Sequence, residues 1–456
     1  MRKGAIFLAA TSMMAVLAAG PLAAQSAQSA AAADAQADGQ ESTEHAFVPV
    51  ELSDEQRAAI ETAKAALEAA PVFDGHNDVP IQLRSRFNNQ INDFNFVDTT
   101  DTGPTHADGR VMHTDLARLM AGYVGAQYWS VYVPASLDEP EAVVMTLEQI
   151  DVTKRLIARY PQALQLALTA DDVENAVRDG KIASLLGMEG GHSIGSSLGV
   201  LRQMYDLGAR YMTLTHSKNT PWADSATDAP QHSGLTDFGK DMIREMNRIG
   251  MQVDLSHVSE KVMHDVLDIA GAPVIFSHSG ARGINGHARN VPDSVLARLP
   301  ENGGVVMVVG FPGFLSEDQR QWFSARQAEK ARLEALWQGQ PDTVAKALAE
   351  WDEANETPAA TISDMADHID HIRSIAGVEA IGIGGDYDGM PTGPEGMEDV
   401  TGYPALFAEL AMRGYSQAEL ELISYHNALR ALREAERYAA SQRAAPPIET
   451  LISDSN

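Results

Sequence analysis

The chain carries short runs of β-branched, aliphatic and aromatic residues, and each ends abruptly on a polar side chain. Val253-Asp254-Leu255 and Val274-Ile275-Phe276 are examples. Runs this apolar have no polar face, so they read as parallel strands covered on both sides. Eight such segments stand in order: Val72 to Asp74, Ala126 to Val133, Ile182 to Met188, Tyr211 to Thr215, Gln252 to Leu255, Pro273 to Phe276, Gly304 to Val309 and Ala380 to Ile383. Stretches with helical spacing separate them, such as Val200 to Leu207, Asp237 to Ile249 and Glu260 to Ala270. The 21 residues from His257 to His278 hold one helix and the next strand, the unit a parallel crossover requires. The pattern predicts an α/β fold, a (β/α)8 barrel of the TIM type. Glu317 to Glu356 is rich in Ala, Glu, Arg and Gln and predicts a helical insertion between the seventh and eighth strands.

The residues that close these runs share one chemistry. Asp74-Gly75-His76-Asn77-Asp78, Gly187-Met188-Glu189, Thr215-His216, Ser256-His257, Ser277-His278 and Gly385-Asp386 each put an acid or an imidazole at a strand exit. Barrels of this type build their sites from the C-terminal ends of several strands. One strand-end histidine is more often a hydrogen-bonded structural residue. Six strand ends together reverse that reading, because structural histidines have no reason to collect at one barrel face.

His76 and Asp78 lie two apart where a strand runs out, so they project to the same side and can hold one cation. Glu189 can bridge two ions through its two oxygens, and His257 and His278 supply imidazoles for the second. Two neighbouring ions would share a hydroxide whose pKa falls toward neutrality. His216 and Asp386 remain as candidate electrophile and proton carrier.

Composition narrows the class. A chain of 456 residues, 44% hydrophobic, suits one large barrel with insertions or two domains. The formal charge is −29 and the 34 basic residues are spread without a cluster, which argues against nucleic acid and anionic membrane partners. The sequence has no cysteine. Disulfides, thiolate zinc sites and a cysteine nucleophile are therefore excluded, and any metal must be held by His, Asp and Glu. That donor set favours zinc or a similar divalent ion.

The N-terminus reads as an export signal. Arg2-Lys3 precede an apolar stretch from Ala5 to Ala19, and Ala23-Ala24 allow cleavage before Gln25. Gly20-Pro21 cut the run short of the roughly 20 apolar residues that a membrane span needs. The organisation expected is a signal peptide at 1–24, a disordered leader at 25–50, the barrel at 51–445 and a polar C-terminal tail at 446–456. Ser53-Asp54-Glu55-Gln56 offers capping chemistry for an opening helix over Ala58 to Ala70. The expected location is periplasmic or secreted, with no stable membrane insertion after cleavage.

Longer motifs in the same order resemble the membrane (renal) dipeptidase family of zinc peptidases, within the amidohydrolase-like barrels. The resemblance covers roughly Val72 to Arg430. It rests on Asp74 to Asp78, Glu189-Gly190-Gly191-His192-Ser193, Leu214-Thr215-His216-Ser217 with Asn219-Thr220-Pro221-Trp222, and Asp254-Leu255-Ser256-His257-Val258-Ser259. Pro273 to Ser279, Arg289-Asn290-Val291-Pro292 and Gly384-Gly385-Asp386-Tyr387-Asp388-Gly389 complete it. The resemblance implies two zinc ions, with His76 and Asp78 on one, His257 and His278 on the other, and Glu189 bridging. It also implies that His216 stabilises the tetrahedral oxyanion, that Arg289, with Asn290 beside it, binds the substrate's C-terminal carboxylate, and that Asp386 steers the hydroxide and passes a proton to the leaving amine. The implied substrates are dipeptides, including those with a C-terminal D-residue, and the implied assembly is a homodimer. Val309-Gly310-Phe311-Pro312-Gly313-Phe314 departs from the more polar segment of the animal members.

Rival readings stand beside this one. Gly191-His192-Ser193-Ile194-Gly195 matches the nucleophile elbow of serine hydrolases, with Ser193 as nucleophile, although Ser196-Ser197-Leu198-Gly199 after it reads as loop. A family member repurposed for maturation of a secreted metabolite would keep the same ligands. His192 reads as loop support and His368 and His371 as solvated or structural, while His232, His264 and His287 carry no pattern.

Overall fold

The computed structural model describes residues 52–100 and 111–455. The expected signal peptide and leader lie outside the described residues. Among the described residues nine strands form: β1 (Val72–Asn77), β2 (Val124–Ser130), β3 (Leu164–Leu166), β4 (Ile182–Glu189), β5 (Ala209–Thr213), β6 (Gln252–Asp254), β7 (Ile275–Ser279), β8 (Val305–Val309) and β9 (Ile381–Gly384). Each parallel neighbour pairs with the next, and β2 pairs with β4 from Ala126↔Ala183 to Ser130↔Gly187, which closes a ring of eight. All eight strands expected from the sequence are in that ring. The ninth, β3, lies outside it along the lower edge of β4, where Leu164 pairs with Ile182. Its three residues are too few to show a periodicity.

Every residue of the ring strands is buried, because one face lines the barrel interior and the other meets the helices. Alternation along the strands divides the core in two. Phe73, Tyr128, Leu185, Tyr211, Ile275 and Met307 belong to the inner cluster, where Phe73 and Tyr128 stack with ring centres 5.5 Å apart. Trp129, Leu186, Met212, Val306 and Val308 belong to the outer cluster under the helices. The opening helix Asp54–Ala69 carries the capping box seen in its sequence: Gln56 N–H donates to Ser53 Oγ, and Ser53 N–H donates back to Gln56 Oε1.

The insertion falls where its composition placed it, between β8 and β9. Helices Glu317–Leu336 and Pro341–Ala354 form a hairpin with a small core of its own, Leu333, Val344 and Leu348. The segment after residue 446 lies against the barrel: Arg202 Nη1 donates to Ile448 O at 3.1 Å and Thr450 O–H to Asp241 at 2.7 Å.

The upper end of the barrel is drawn tight. A Cβ on Gly384 would stand 1.9 Å from Ser277 O, so only glycine lets β9 approach β7 this closely. Gly384→Ala is expected to destabilise the fold by about 1–3 kcal/mol or more through overpacking against backbone, read as a lowered midpoint in thermal or urea unfolding.

Candidate metal centre

Seven of the strands deliver polar side chains at or just beyond their C-terminal ends. His76 lies in β1 and Asp78 follows it; Ser130 ends β2; Glu189 ends β4; His278 lies in β7. His216, His257 and Asp386 sit just beyond β5, β6 and β9. His257 and Asp386 turn out of their strands in the left-handed region, at φ 69° and 60°. Non-glycine residues rarely adopt that conformation, and it is concentrated at functional sites.

The side chains converge on Glu189. His257 Nε2 lies 3.0 Å and both His278 Nε2 and His216 Nε2 3.5 Å from Glu189 Oε1, while His76 Nε2 lies 3.5 Å from Oε2. Ser130 O–H donates to Oε2 at 3.2 Å. Asp78 Oδ2 stands 3.3 Å from His76 Nε2, and the Nε2 atoms of His257 and His278 face one another at 2.9 Å. Donor atoms of three overlapping triads, His76–Glu189–His278, Glu189–His216–His257 and His76–Asp78–Asp386, lie within 4.8 Å of one another.

The electrostatics suit cations. Burial, reinforced by Arg289 and neighbouring imidazoles, pushes His257 and His278 well below the ordinary imidazole range, so both keep a lone pair free. Burial acts to raise Glu189, but His76, His216 and His257 outweigh it and hold the carboxylate well below its usual range. His76 goes the other way: burial opposes, and the Tyr211, Glu189 and Asp78 oxygens push it up, so positive charge is favoured at its Nε2. Burial pushes Asp386 up to about 8, with His76 opposing and Asp78 and Glu189 adding.

Two atoms test the fit directly. His76 Nε2 and Asp78 Oδ1 are buried without a hydrogen-bond partner. Buried polar atoms are otherwise nearly always paired. Neutral imidazoles, carboxylates and orphaned donor atoms at one spot make a donor set for divalent metal.

A layer of residues without metal-ligand geometry fixes this one, and the sequence reading gave it no role. Asp74 Oδ1 accepts the N–H groups of His76 at 3.0 Å and Gly385 at 2.8 Å, and its Oδ2 accepts the Tyr403 hydroxyl at 2.6 Å. One carboxylate thus ties β1 to β9. Asp254 repeats the device: Oδ1 accepts from Ser256 N–H at 3.0 Å and Ser277 N–H at 2.9 Å, and Oδ2 accepts the Ser277 hydroxyl at 2.7 Å. Ser277 Oγ also meets His278 Nδ1 at 2.8 Å. His76 Nδ1 faces the Tyr211 hydroxyl at 2.8 Å, and that hydroxyl donates to Gly75 O at 3.3 Å. With the imidazole as donor at Nδ1, its Nε2 is left to meet a metal in place of a proton. Both aspartates lie inside motifs quoted above, two and three residues before a histidine. No spacing rule tells such a brace from a ligand.

The centre floors a cavity of about 330 Å³. Its walls include Tyr132, His216, Arg289, Phe311, Phe314, Asp386 and Met390. Arg289 is buried, and its guanidinium donates to His278 O at 3.1 Å and to Ser279 Oγ at 3.3 Å while Nε has no partner. Burial lowers it to about 10, still charged at neutral pH.

Other candidates fall elsewhere. Asn290 is not brought to the cavity: its Oδ1 accepts Gly280 N–H, and its Nδ2 donates to the backbone of Asn285 and Phe314. A fully engaged amide cannot greet a substrate, so Asn290 shapes the site from behind. Ser193 Oγ is buried and, among the described residues, has no partner and hence no base. His192 braces Val133 O and His368 braces Leu315 O, while His371 pairs with Asp293 at 2.8 Å.

Comparisons with known proteins show the family and the fold. A family model described as membrane dipeptidase (peptidase family M19) matches residues 60–446. Dipeptidase 3 of Mus musculus is 41% identical over 394 residues, 85% of this chain and 69% of that protein. Dipeptidase tcpJ of Claviceps purpurea is 40% identical over 384 residues, 82% of this chain and 79% of that protein. Among solved structures, the probable dipeptidase PvdM from Pseudomonas aeruginosa superposes with a TM-score of 0.71 at 24% identity, covering 84% of this chain and all (100%) of that one. A metallo peptidase from Rhodobacter sphaeroides, liganded with a phosphinate mimic of the dipeptide L-Ala-D-Ala, gives 0.66 at 24% identity, covering 80% and 99%.

Replacing Tyr211 by Phe is expected to weaken divalent-metal affinity about 10- to 100-fold while far-ultraviolet circular dichroism stays native. Competition with a metal indicator measures it.

Proposed function

The chain belongs to the membrane dipeptidase family, peptidase family M19, and is a metallodipeptidase; within that family we propose an exported, dizinc enzyme. The observation that carries the reading is the convergence of four imidazoles on the two oxygens of one buried carboxylate, Glu189.

His76 and Asp78 would hold one zinc, His257 and His278 the other, and Glu189 both. When bound, the ions would supply water activated for attack near neutral pH and an electrophilic pull on the peptide carbonyl. His216 stands as near Glu189 as His278 does, but its side chain is 19% exposed against 2%. It also packs on Tyr132 at the cavity wall, ring centres 4.9 Å apart. That position favours contact with the substrate's carbonyl oxygen, where an N–H would stabilise developing negative charge. Asp386 groups with His76 and Asp78 and lines the cavity, which would suit it, once cations beside it favoured its ionised form, to take a proton from the attacking water and return it to the leaving amine.

Arg289 offers a buried charge with an unpartnered Nε, which suits the C-terminal carboxylate of a dipeptide. Anchoring that carboxylate sets the scissile bond over the metal residues and limits substrates to short chains. Export rests on the sequence pattern of residues 1–24, with cleavage before Gln25. Among the described residues no helix is long and apolar enough to cross a membrane.

Hydrolysis of L,L- and L,D-dipeptides is expected to stop on chelation and to return with zinc, untouched by a serine-directed inhibitor. Glu189→Gln should lose bound zinc by elemental analysis and abolish turnover. Ser193→Ala should keep most of it. A folded Ser193→Ala variant without activity would overturn the metal reading, as would normal turnover in the zinc-depleted Glu189→Gln protein.

A further inference from the structure

The two halves of the metal centre are not alike. Around His76 Nε2 stand Asp78 at 3.3 Å and one oxygen of Glu189 at 3.5 Å, and Asp386 joins the same group. His257 and His278 bring two imidazoles and no acid of their own, with Nε2 atoms 3.0 and 3.5 Å from the other oxygen of Glu189. The acid behind this second pair, Asp254, spends its oxygens on Ser256, Ser277 and Thr213.

Arg289 widens the difference. Its buried guanidinium is tied to the second pair, through His278 O and through Ser279 Oγ, which meets Ser256 Oγ beside His257 at 3.1 Å. Among the described residues none of its hydrogen-bond partners is a carboxylate, and Nε has no partner at all. Its charge is therefore not cancelled locally, and burial leaves it poorly screened. Burial and, after it, this guanidinium hold protons off His257. A charge that repels a proton there repels a metal ion too.

We infer that Arg289 weakens the hold of His257 and His278 on their cation, and that a carboxylate docked on its guanidinium restores that hold, so that the second metal and the C-terminal end of the substrate bind cooperatively. The inference rests on the proposed dizinc reading and on Arg289 as partner of the C-terminal carboxylate. A carboxylate placed there cancels the charge that opposes the cation. By linkage, a filled second site must then tighten the carboxylate by the same factor. The free enzyme would carry one firmly held ion, at His76 and Asp78, and would complete its centre as substrate docks.

The test equilibrates the zinc-loaded protein in chelator buffers of graded free zinc and reads bound zinc by elemental analysis. Anomalous diffraction from protein holding a single equivalent locates the ion. Wild type is expected to lose zinc in two unequal steps and to keep the ion at His76 and Asp78 longer. Arg289→Met should tighten the weaker step by about tenfold or more, a gain that misfolding cannot produce, whereas Arg289→Lys, which keeps the charge, should not. Propionate, a carboxylate with no amine to chelate zinc, should tighten the weaker step in wild type but not in Arg289→Met, and propionamide in neither. Two equal steps, a retained ion at His257 and His278, or no tightening by Arg289→Met would overturn the inference, as would propionate without effect on wild type. The carboxylate reading of Arg289 has its own readout: wild type should hydrolyse Ala-Phe far faster than its C-terminal amide, and equal rates would sink that reading whatever the zinc titrations give.

Discussion

Everything at the mouth of this barrel depends on one buried carboxylate. Glu189 is out of water, where an isolated charge is costly, and it stays ionised because imidazoles from four other strand ends face its two oxygens. The arrangement works in both directions. The carboxylate fixes where the imidazole nitrogens point, and the nitrogens give the carboxylate a reason to be buried. Bound metal would satisfy the carboxylate and the orphaned His76 Nε2 and Asp78 Oδ1 together.

Holding that cluster is the task of residues that take no part in it. Asp74 and Asp254 each accept backbone N–H groups from two strand ends and a hydroxyl besides. The strands therefore cannot slide without breaking several charge-assisted hydrogen bonds. Tyr211 and Ser277 then set the ring orientation of His76 and His278 through their Nδ1 atoms. Imidazoles oriented by hydroxyls that are themselves oriented by carboxylates or carbonyls form a preorganised site, which spends little energy rearranging when metal or substrate arrives.

The cavity above joins this charged floor to an apolar wall built by different elements. The floor belongs to the strands, and the wall to the turn after β8 and the helical hairpin behind it. Such a division lets reaction and selectivity vary independently. The barrel bears the charged floor, and an insertion of helices with its own small core stands behind the apolar wall.

By itself the sequence determined the barrel and most of the site. Fully apolar strands of a parallel sheet leave a plain signature, and polar residues that close them must gather at one end because all the strands run the same way. That rule named His76, Asp78, Glu189, His216, His257, His278 and Asp386 as candidates, and the structure brings them together; Arg289 entered only through the resemblance of its motif. Tertiary structure alone decided the rest. β3 is too short to carry a period. Asn290 lies next to Arg289 in sequence, yet its amide is consumed by backbone partners that no local pattern predicts. Asp74 and Asp254 carry no role that the sequence shows and act as braces, since their partners come from Gly385 and Ser277 on neighbouring strands. The stacking of Phe323 on Phe311 likewise depends on how the hairpin folds back. Periodicity is local and survives in one dimension; which atoms a side chain meets is set by packing between distant segments, and it exists only once the chain has folded.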